Sequence, residues 1–140
     1  MATTKTIFLT TTGSVLTWTV PADWTNVNTI ECLSAGGGGA NNVPAAGGGG
    51  GGYAKISNLS ASPGDTYQYR VGAGGSGNGG DTWFGASTLG VSLVGATGAG
   101  SGSTSFGGGS GAGGAGGVGT TGTIKHSGGK GGDASGGVFD

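Results

Sequence analysis

The chain has one cysteine, Cys32, and one histidine, His126, in 140 residues. A lone thiol closes no intrachain disulfide, and it leaves the redox compartment unread. A structural metal centre needs several His, Cys or carboxylate ligands, and these two residues lie far apart in sequence. Charge is just as scarce, with five Lys or Arg against six Asp or Glu and no basic cluster. That excludes the electrostatic footprint of a nucleic-acid-binding surface. No apolar run approaches the ~20 residues that span a bilayer, and the opening M-A-T-T-K-T-I-F-L-T is too short in apolar residues for a signal peptide. Membrane insertion is therefore not expected. No stretch reads as a helix. No G-x-S-x-G stands between a strand and a helix, so a nucleophile elbow is missing. The glycine pattern at 74–80 follows a strand but opens no helix, which fails the dinucleotide fingerprint. The expectation is a non-enzymatic protein without a cofactor.

What the chain has is glycine. All but one of its 40 glycines lie between positions 36 and 137. The most regular stretch is G-A-G-G-A-G-G-V-G-T-T at 111–121, where Ala112, Ala115, Val118 and Thr121 recur every third residue. Ser127, Lys130 and Asp133 repeat the spacing in S-G-G-K-G-G-D. Three is neither the helical period of 3.6 nor the strand period of 2. It is the period of a polyproline-II-type helix, which makes no internal hydrogen bonds. Its N–H and C=O groups point outwards, and glycine edges let neighbouring segments come close enough to pair them. Glycine inside regular structure costs roughly 0.5–1 kcal/mol relative to Ala. Dense backbone hydrogen bonding, assembly with other chains, or both must offset that cost.

The first part of the chain reads as short strands. Residues 5–9 and 15–20 flank a turn, with Leu16, Trp18 and Val20 on one face of the second strand. Residues 27–34 follow, placing Ile30 and Cys32 together, and 53–60 is a fourth strand. S-P-G-D at 62–65 is a turn signal. In 66–71, Tyr67, Tyr69 and Val71 alternate with Thr66, Gln68 and Arg70. Residues 91–94 and 123–125 are the last two expected strands. The large apolar residues, including Phe8, Leu16, Trp18, Trp24, Ile30, Tyr53, Ile56, Tyr67, Tyr69, Trp83 and Phe84, are concentrated before residue 95 and suffice for a small sandwich core. The expected fold is all-β: a small antiparallel β-sandwich, jelly-roll-like and with glycine-rich loops, over 1–95, and a glycine-rich layer over 96–140 that is either polyglycine-II helices or irregular. That layer has no ordinary hydrophobic core of its own, and must lean on the sandwich, on a partner chain or on its own backbone network.

Two features bear on ligands. G-N-G-G-D at 77–81 and G-K-G-G-D at 129–133 both place an aspartate after G-x-G-G. The first also resembles one copy of a calcium-binding glycine–aspartate repeat, which makes Asp81 and Asp133 the calcium candidates. Such repeats work as stacked consecutive copies, so a repeated turn is the simpler reading. The aromatic residues offer sugar-stacking faces, but a core this small needs them inside. Loops that interrupt the glycine pattern are the better candidates for partner contact. They are 40–46 with Asn41, Asn42 and Val43, 101–106 with Thr104 and Phe106, and 120–127 with Lys125 and His126.

W-T-V-P-A-D-W at 18–24, T-I-E-C-L-S-A-G-G-G-G at 29–39, L-S-A-S-P-G-D-T-Y-Q-Y-R-V-G-A-G-G at 59–75 and G-G-D-T-W-F-G at 79–85 resemble the glycine-rich domain of bacteriophage and prophage tail-fibre and receptor-binding proteins. The resemblance spans nearly the whole chain. It implies a virion structural protein on the particle exterior, as a tail-fibre, tip or head-fibre module. It also implies self-association as a homotrimer, contact with other virion proteins, and a host surface glycan or protein as the far partner. The alternative within the same resemblance is a host-receptor-binding adhesin whose loops stand on a glycine-rich scaffold. A small capsid decoration protein and an ice-binding protein are the remaining alternatives. The latter lacks long regular threonine rows.

Overall fold

Alternation of apolar and polar residues builds five-residue strands with one inward face, and eight strands form in all among the described residues. The computed structural model describes residues 3–42, 44–105 and 109–136. The strands are β1 (Val15–Thr19), β2 (Thr29–Leu33), β3 (Tyr53–Ser57), β4 (Thr66–Arg70), β5 (Thr82–Phe84), β6 (Val94–Ala96), β7 (Gly119–Thr121) and β8 (Ile124–His126). They make two antiparallel sheets, ordered β1-β4-β5-β6-β7 and β2-β3-β8. The architecture is all-β, compatible with a small sandwich. A single 3-10 turn, Leu89–Val91, precedes β6.

Register sets the core. Leu16 faces Tyr69 and Trp18 faces Tyr67 across β1 and β4. Tyr69 lies opposite Phe84, and Phe84 opposite Val94. Cys32 and Ala54 bring the second sheet onto the same cluster, and Ile30 and Ile56 pack beside them. Phe84 stacks on Tyr67 at 5.3 Å and meets Trp18 edge-on at 5.6 Å. Burial pushes the Cys32 thiol up to about 12, so it is an inert filler. Two turns close as their glycines dictate. Gly64 (φ 92°) sits in the S-P-G-D turn, where the Asp65 amide donates to the Ser62 carbonyl. Gly122 (φ 114°) joins β7 to β8. A positive φ is a conformation that glycine adopts without the steric cost of a Cβ.

Some expected elements differ. Residues 5–9 form no strand. Ile7 and Phe8 are exposed, and of this stretch Leu9 packs on the core. The strand expected at 91–94 begins at Val94, because the chain first winds through the 3-10 turn. β5 and β7, three residues each, are not legible as strands in the sequence. Tyr53 does not enter the core. It shares the outer face of its sheet with its cross-strand partners Leu33 and His126.

From the sandwich, two long excursions run out and return, a last segment runs out from β8, and the shorter β4–β5 connection at 72–80 bonds against them through Gly77, Gly79 and Gly80. The two excursions and the last segment supply five extended segments: g1 (35–40), g2 (47–52), g3 (97–103), g4 (111–118) and g5 (127–134). Each continues a strand: g1 leaves β2, g2 enters β3, g3 leaves β6, g4 enters β7 and g5 leaves β8. The two layers therefore alternate along the chain instead of dividing at residue 95.

Segment g2 is the hub. Its Gly47 and Gly50 amides donate to Gly132 and Gly129 of g5, and its Gly49 and Gly52 amides to Gly100 and Thr97 of g3. Its Gly47 and Gly50 carbonyls accept from Gly114 and Gly117 of g4, and its Gly49 carbonyl from Gly37 of g1. Four neighbours around one backbone leave no room for a Cβ at Gly48, Gly49, Gly51 or Gly52. Partners advance by three residues, as a polyproline-II-type bundle requires. Burial keeps the same step: Gly111, Gly114 and Gly117 are buried, whereas Ala112, Ala115 and Val118 face solvent.

Polar side chains complete this lattice where a backbone partner is missing. Ser103 Oγ accepts from the Ala112 amide at 2.9 Å and Thr97 Oγ1 from the Val118 amide at 2.8 Å. Asn78 Oδ1 accepts from the Ser101 amide at 2.9 Å.

Candidate functional site

The end of the bundle farthest from the sandwich gathers the chain reversals. The g1–g2 reversal is pinned by the Ala40 amide donating to the Ala46 carbonyl at 2.9 Å. Ala45 bridges to Thr104, which brings this loop against the g3–g4 reversal. Gly111 and Ala134 exchange two backbone hydrogen bonds at 2.8 and 2.9 Å and tie the end of g5 alongside. Asn41, Asn42, Ala45, Ser110 and Ser135 are exposed here, and Thr104 and Pro44 are half-buried. At 3.1 Å per residue, the eight residues of g4 carry this end about 25 Å from the strands.

The sequence-derived candidates separate into two groups. Asn41, Asn42 and Thr104 come together at the distal end. Val43 and Phe106 lie outside the described residues. Lys125 and His126 are on β8, paired with Ala54 and Tyr53 at the sandwich end, so the 120–127 loop is not part of the tip. His126 is exposed and stacks on Tyr53 at 5.9 Å with 27° between the rings. Burial raises the Tyr53 phenol above its ordinary value, and the neighbouring Glu31 carboxylate adds to the rise.

Asp81 and Asp133 prove to be lattice residues. The Gly98 amide donates to Asp81 Oδ1 at 2.9 Å, and the Gly113 amide to Asp133 Oδ1 at 2.7 Å. This shared task accounts for the repeated G-x-G-G-D. Gly98 lies near the base of the bundle and Gly113 near its tip, about 12–15 Å apart along the axis, so the two carboxylates serve separate levels. Among the described residues no three His, Cys, Asp or Glu side chains gather as a metal site.

Sequence reasoning missed four polar residues at or beside the tip: Ser110, Lys130, Asp133 as a tip residue, and Ser135. The period-three spacing placed Lys130 and Asp133 on one edge of a segment. What it lacked was the topology that lays the end of g5 beside the start of g4.

The family model of the glycine-rich domain matches residues 10–139. The chain belongs to the glycine-rich domain family. No curated protein and no solved structure matches it. The matched span takes in both sheets and all five extended segments, so the sandwich and the bundle together form this glycine-rich domain.

Asp133 makes an acid-sensitive tie at the tip. The hydrogen bond from Lys130, then the one from the Gly113 amide, hold the Asp133 carboxyl below the ordinary aspartate value of 3.8. A depressed folded value contributes stability above the unfolded pKa, and that contribution is lost as pH falls through the folded one. Asp133→Asn keeps an oxygen for the Gly113 amide but has no charge to lose. Its melting temperature should therefore fall less steeply than wild type between about pH 5 and pH 2. Parallel acid-side melting profiles would show that Asp133 contributes nothing there.

Proposed function

We propose that this glycine-rich domain is a non-enzymatic structural module of a bacteriophage particle, standing on the virion exterior near a fibre or tail tip. The observation that carries the reading is the collection of chain reversals at the end of a bundle built from backbone. Such a bundle separates two tasks. The lattice needs glycine along the segments, and the reversals are free to vary without entering it. Loops on a rigid scaffold are the usual place for partner contact. The bacteriophage part of the reading rests on the motifs at 18–24 and 59–75. On this reading the sandwich end faces other virion proteins and further copies of the chain, with a homotrimer as the expected state. Light scattering of the purified protein tests that state, and a monomer at all concentrations removes the trimer from the proposal.

The tip favours a narrower second reading, in which the domain is an adhesin that touches a host surface glycan or protein. The test is binding of the labelled protein to a panel of bacterial strains, with residues 41–45 and 104–105 exchanged for a Gly/Ser sequence of equal length. Cell labelling should fall at least about tenfold, equivalent to roughly 1.4 kcal/mol, while the melting temperature stays within a few degrees. Unchanged labelling would sink the adhesin reading and leave the structural one.

A further inference from the structure

Beside the tip, between the start of g4 and the end of g5, lies a shallow groove of about 380 Å³ lined by Ser110, Gly111, Ala112, Lys130, Asp133, Ala134 and Ser135. Its volume is at the lower end of the ~300–1,000 Å³ usual for small-molecule sites. The lining includes backbone and the methyl groups of Ala112 and Ala134. The hydroxyls of Ser110 and Ser135 and one ion pair supply its polar side-chain groups. Lys130 Nζ donates to both Asp133 oxygens, at 2.6 and 2.9 Å.

Both members of this ion pair are exposed, and its carboxylate has an additional backbone anchor. Asp133 Oδ1 already takes the Gly113 amide at 2.7 Å, so the carboxylate is tied to the lattice and offers the exposed lysine a fixed partner. Side chains fixed before a ligand arrives reduce the ordering cost of binding. After these bonds, Asp133 Oδ2 keeps a free lone pair and the ammonium keeps an uncommitted N–H. A donor and an acceptor 2.9 Å apart suit two adjacent hydroxyls, one donating to the carboxylate and the other accepting from the ammonium. The internal pairing neutralises both charges, which disfavours a phosphate or a metal cation as occupant. The methyl groups offer contact for C–H bonds, and the two serines accept or donate.

We propose that this groove binds a neutral sugar ring, with Lys130 and Asp133 gripping a vicinal diol and Ser110 and Ser135 contacting the flanking hydroxyls. The inference deepens the adhesin reading by naming a ligand class at that end, and it rests on that reading for its biological role only.

The test is titration of the intact 15N-labelled protein with methyl mannoside, methyl galactoside and N-acetylglucosamine, followed through backbone amide shifts. At least one sugar should shift the Gly111, Ala112 and Lys130 amides in a saturable way. The exposed substitution Lys130→Gln should weaken that sugar about tenfold, as expected for losing one charge-assisted hydrogen bond. Ala112→Tyr, also at an exposed position, should fill the groove and abolish the shifts while the melting temperature holds. No saturable shift with any of the three sugars, or equal affinity in both variants, would overturn the proposal. Strain labelling by the same proteins separates the two readings. Sugar binding without cell labelling removes the adhesin and keeps the groove. Cell labelling that Lys130→Gln and Ala112→Tyr leave unchanged keeps the adhesin and removes the groove from its binding surface.

Discussion

Gly116→Val and Gly113→Val should each destabilise the protein by at least about 3 kcal/mol, whereas Ala112→Ser should change it by no more than about 0.5 kcal/mol. A Cβ at Gly116 would overlap the Gly128 carbonyl, and one at Gly113 the Gly131 carbonyl, at separations that real atoms never show. Neither neighbour can step aside. Gly128 and Gly131 donate to Gly117 and Gly114 of g4, and Gly129 and Gly132 of the same segment accept from g2. Moving g5 away from g4 would break several of these bonds together. For a domain of this size the loss corresponds to a fall in melting temperature of about 10 °C or more. The control lies on g5 itself. Gly132 has nothing within 4 Å of the position its Cβ would take, and its φ is not positive. Gly132→Ala should be neutral or add about 0.4–1 kcal/mol by restricting the unfolded chain. Calorimetry on the four variants decides between close packing and mere abundance of glycine. Equal tolerance at positions 113, 116 and 132 would contradict the bundle.

How much of this was legible follows from where the period sits in the sequence. In g4 the marker residues Ala112, Ala115 and Val118 occupy the solvent edge, so the spacing of three is written in side chains, and sequence alone points to a polyglycine-II-type segment. In g2 a Cβ would overlap neighbouring backbone at Gly48, Gly49, Gly51 and Gly52, glycine also fills the looser positions 47 and 50, and a run of identical residues carries no period. The most central segment of the bundle is therefore the least readable, and the sequence offers it as a glycine-rich loop of the sandwich rather than as part of a layer with residues 96–140. The strand signals behave likewise. β1 and β4 alternate cleanly because each has one solvated face. β5 is buried at all three positions and β6 at all three, so neither alternates.

The site was legible in part, for a similar reason. Asn41, Asn42 and Thr104 interrupt the glycine runs, and interruptions mark reversals. His126 interrupts them too, but beyond Gly122 the chain has turned back into β8, and only the sheet register shows that it returns to Tyr53. The repeated aspartates read as turns or calcium ligands because the sequence records their spacing and not the amides that face them. A carboxylate among glycines is ambiguous until the backbone donors are placed, since the same oxygens suit a cation and an unpaired N–H.

Phe84→Ala should cost about 3–5 kcal/mol, and its value lies in what else unfolds. Phe84 is buried at the centre of the larger sheet, touching Trp18 and Tyr67, opposite Tyr69 and Val94. It has no aromatic counterpart among the five extended segments, which are held by backbone hydrogen bonds and a few polar side chains. Every extended segment nevertheless continues a strand, and g2 alone connects to g1, g3, g4 and g5. Loosening the sheets should release the ends of all five segments, and segments without internal hydrogen bonds cannot persist singly. Phe84→Ala should therefore lower the melting temperature followed by tryptophan fluorescence and raise amide exchange at Gly49, Gly114 and Gly117 by the same free energy. If the bundle amides kept wild-type protection while the tryptophan transition moved, the bundle would fold on its own. Agreement of the two probes would mean that sandwich and bundle are one cooperative unit, in which the hydrophobic core supplies the stability and the glycine lattice converts it into reach.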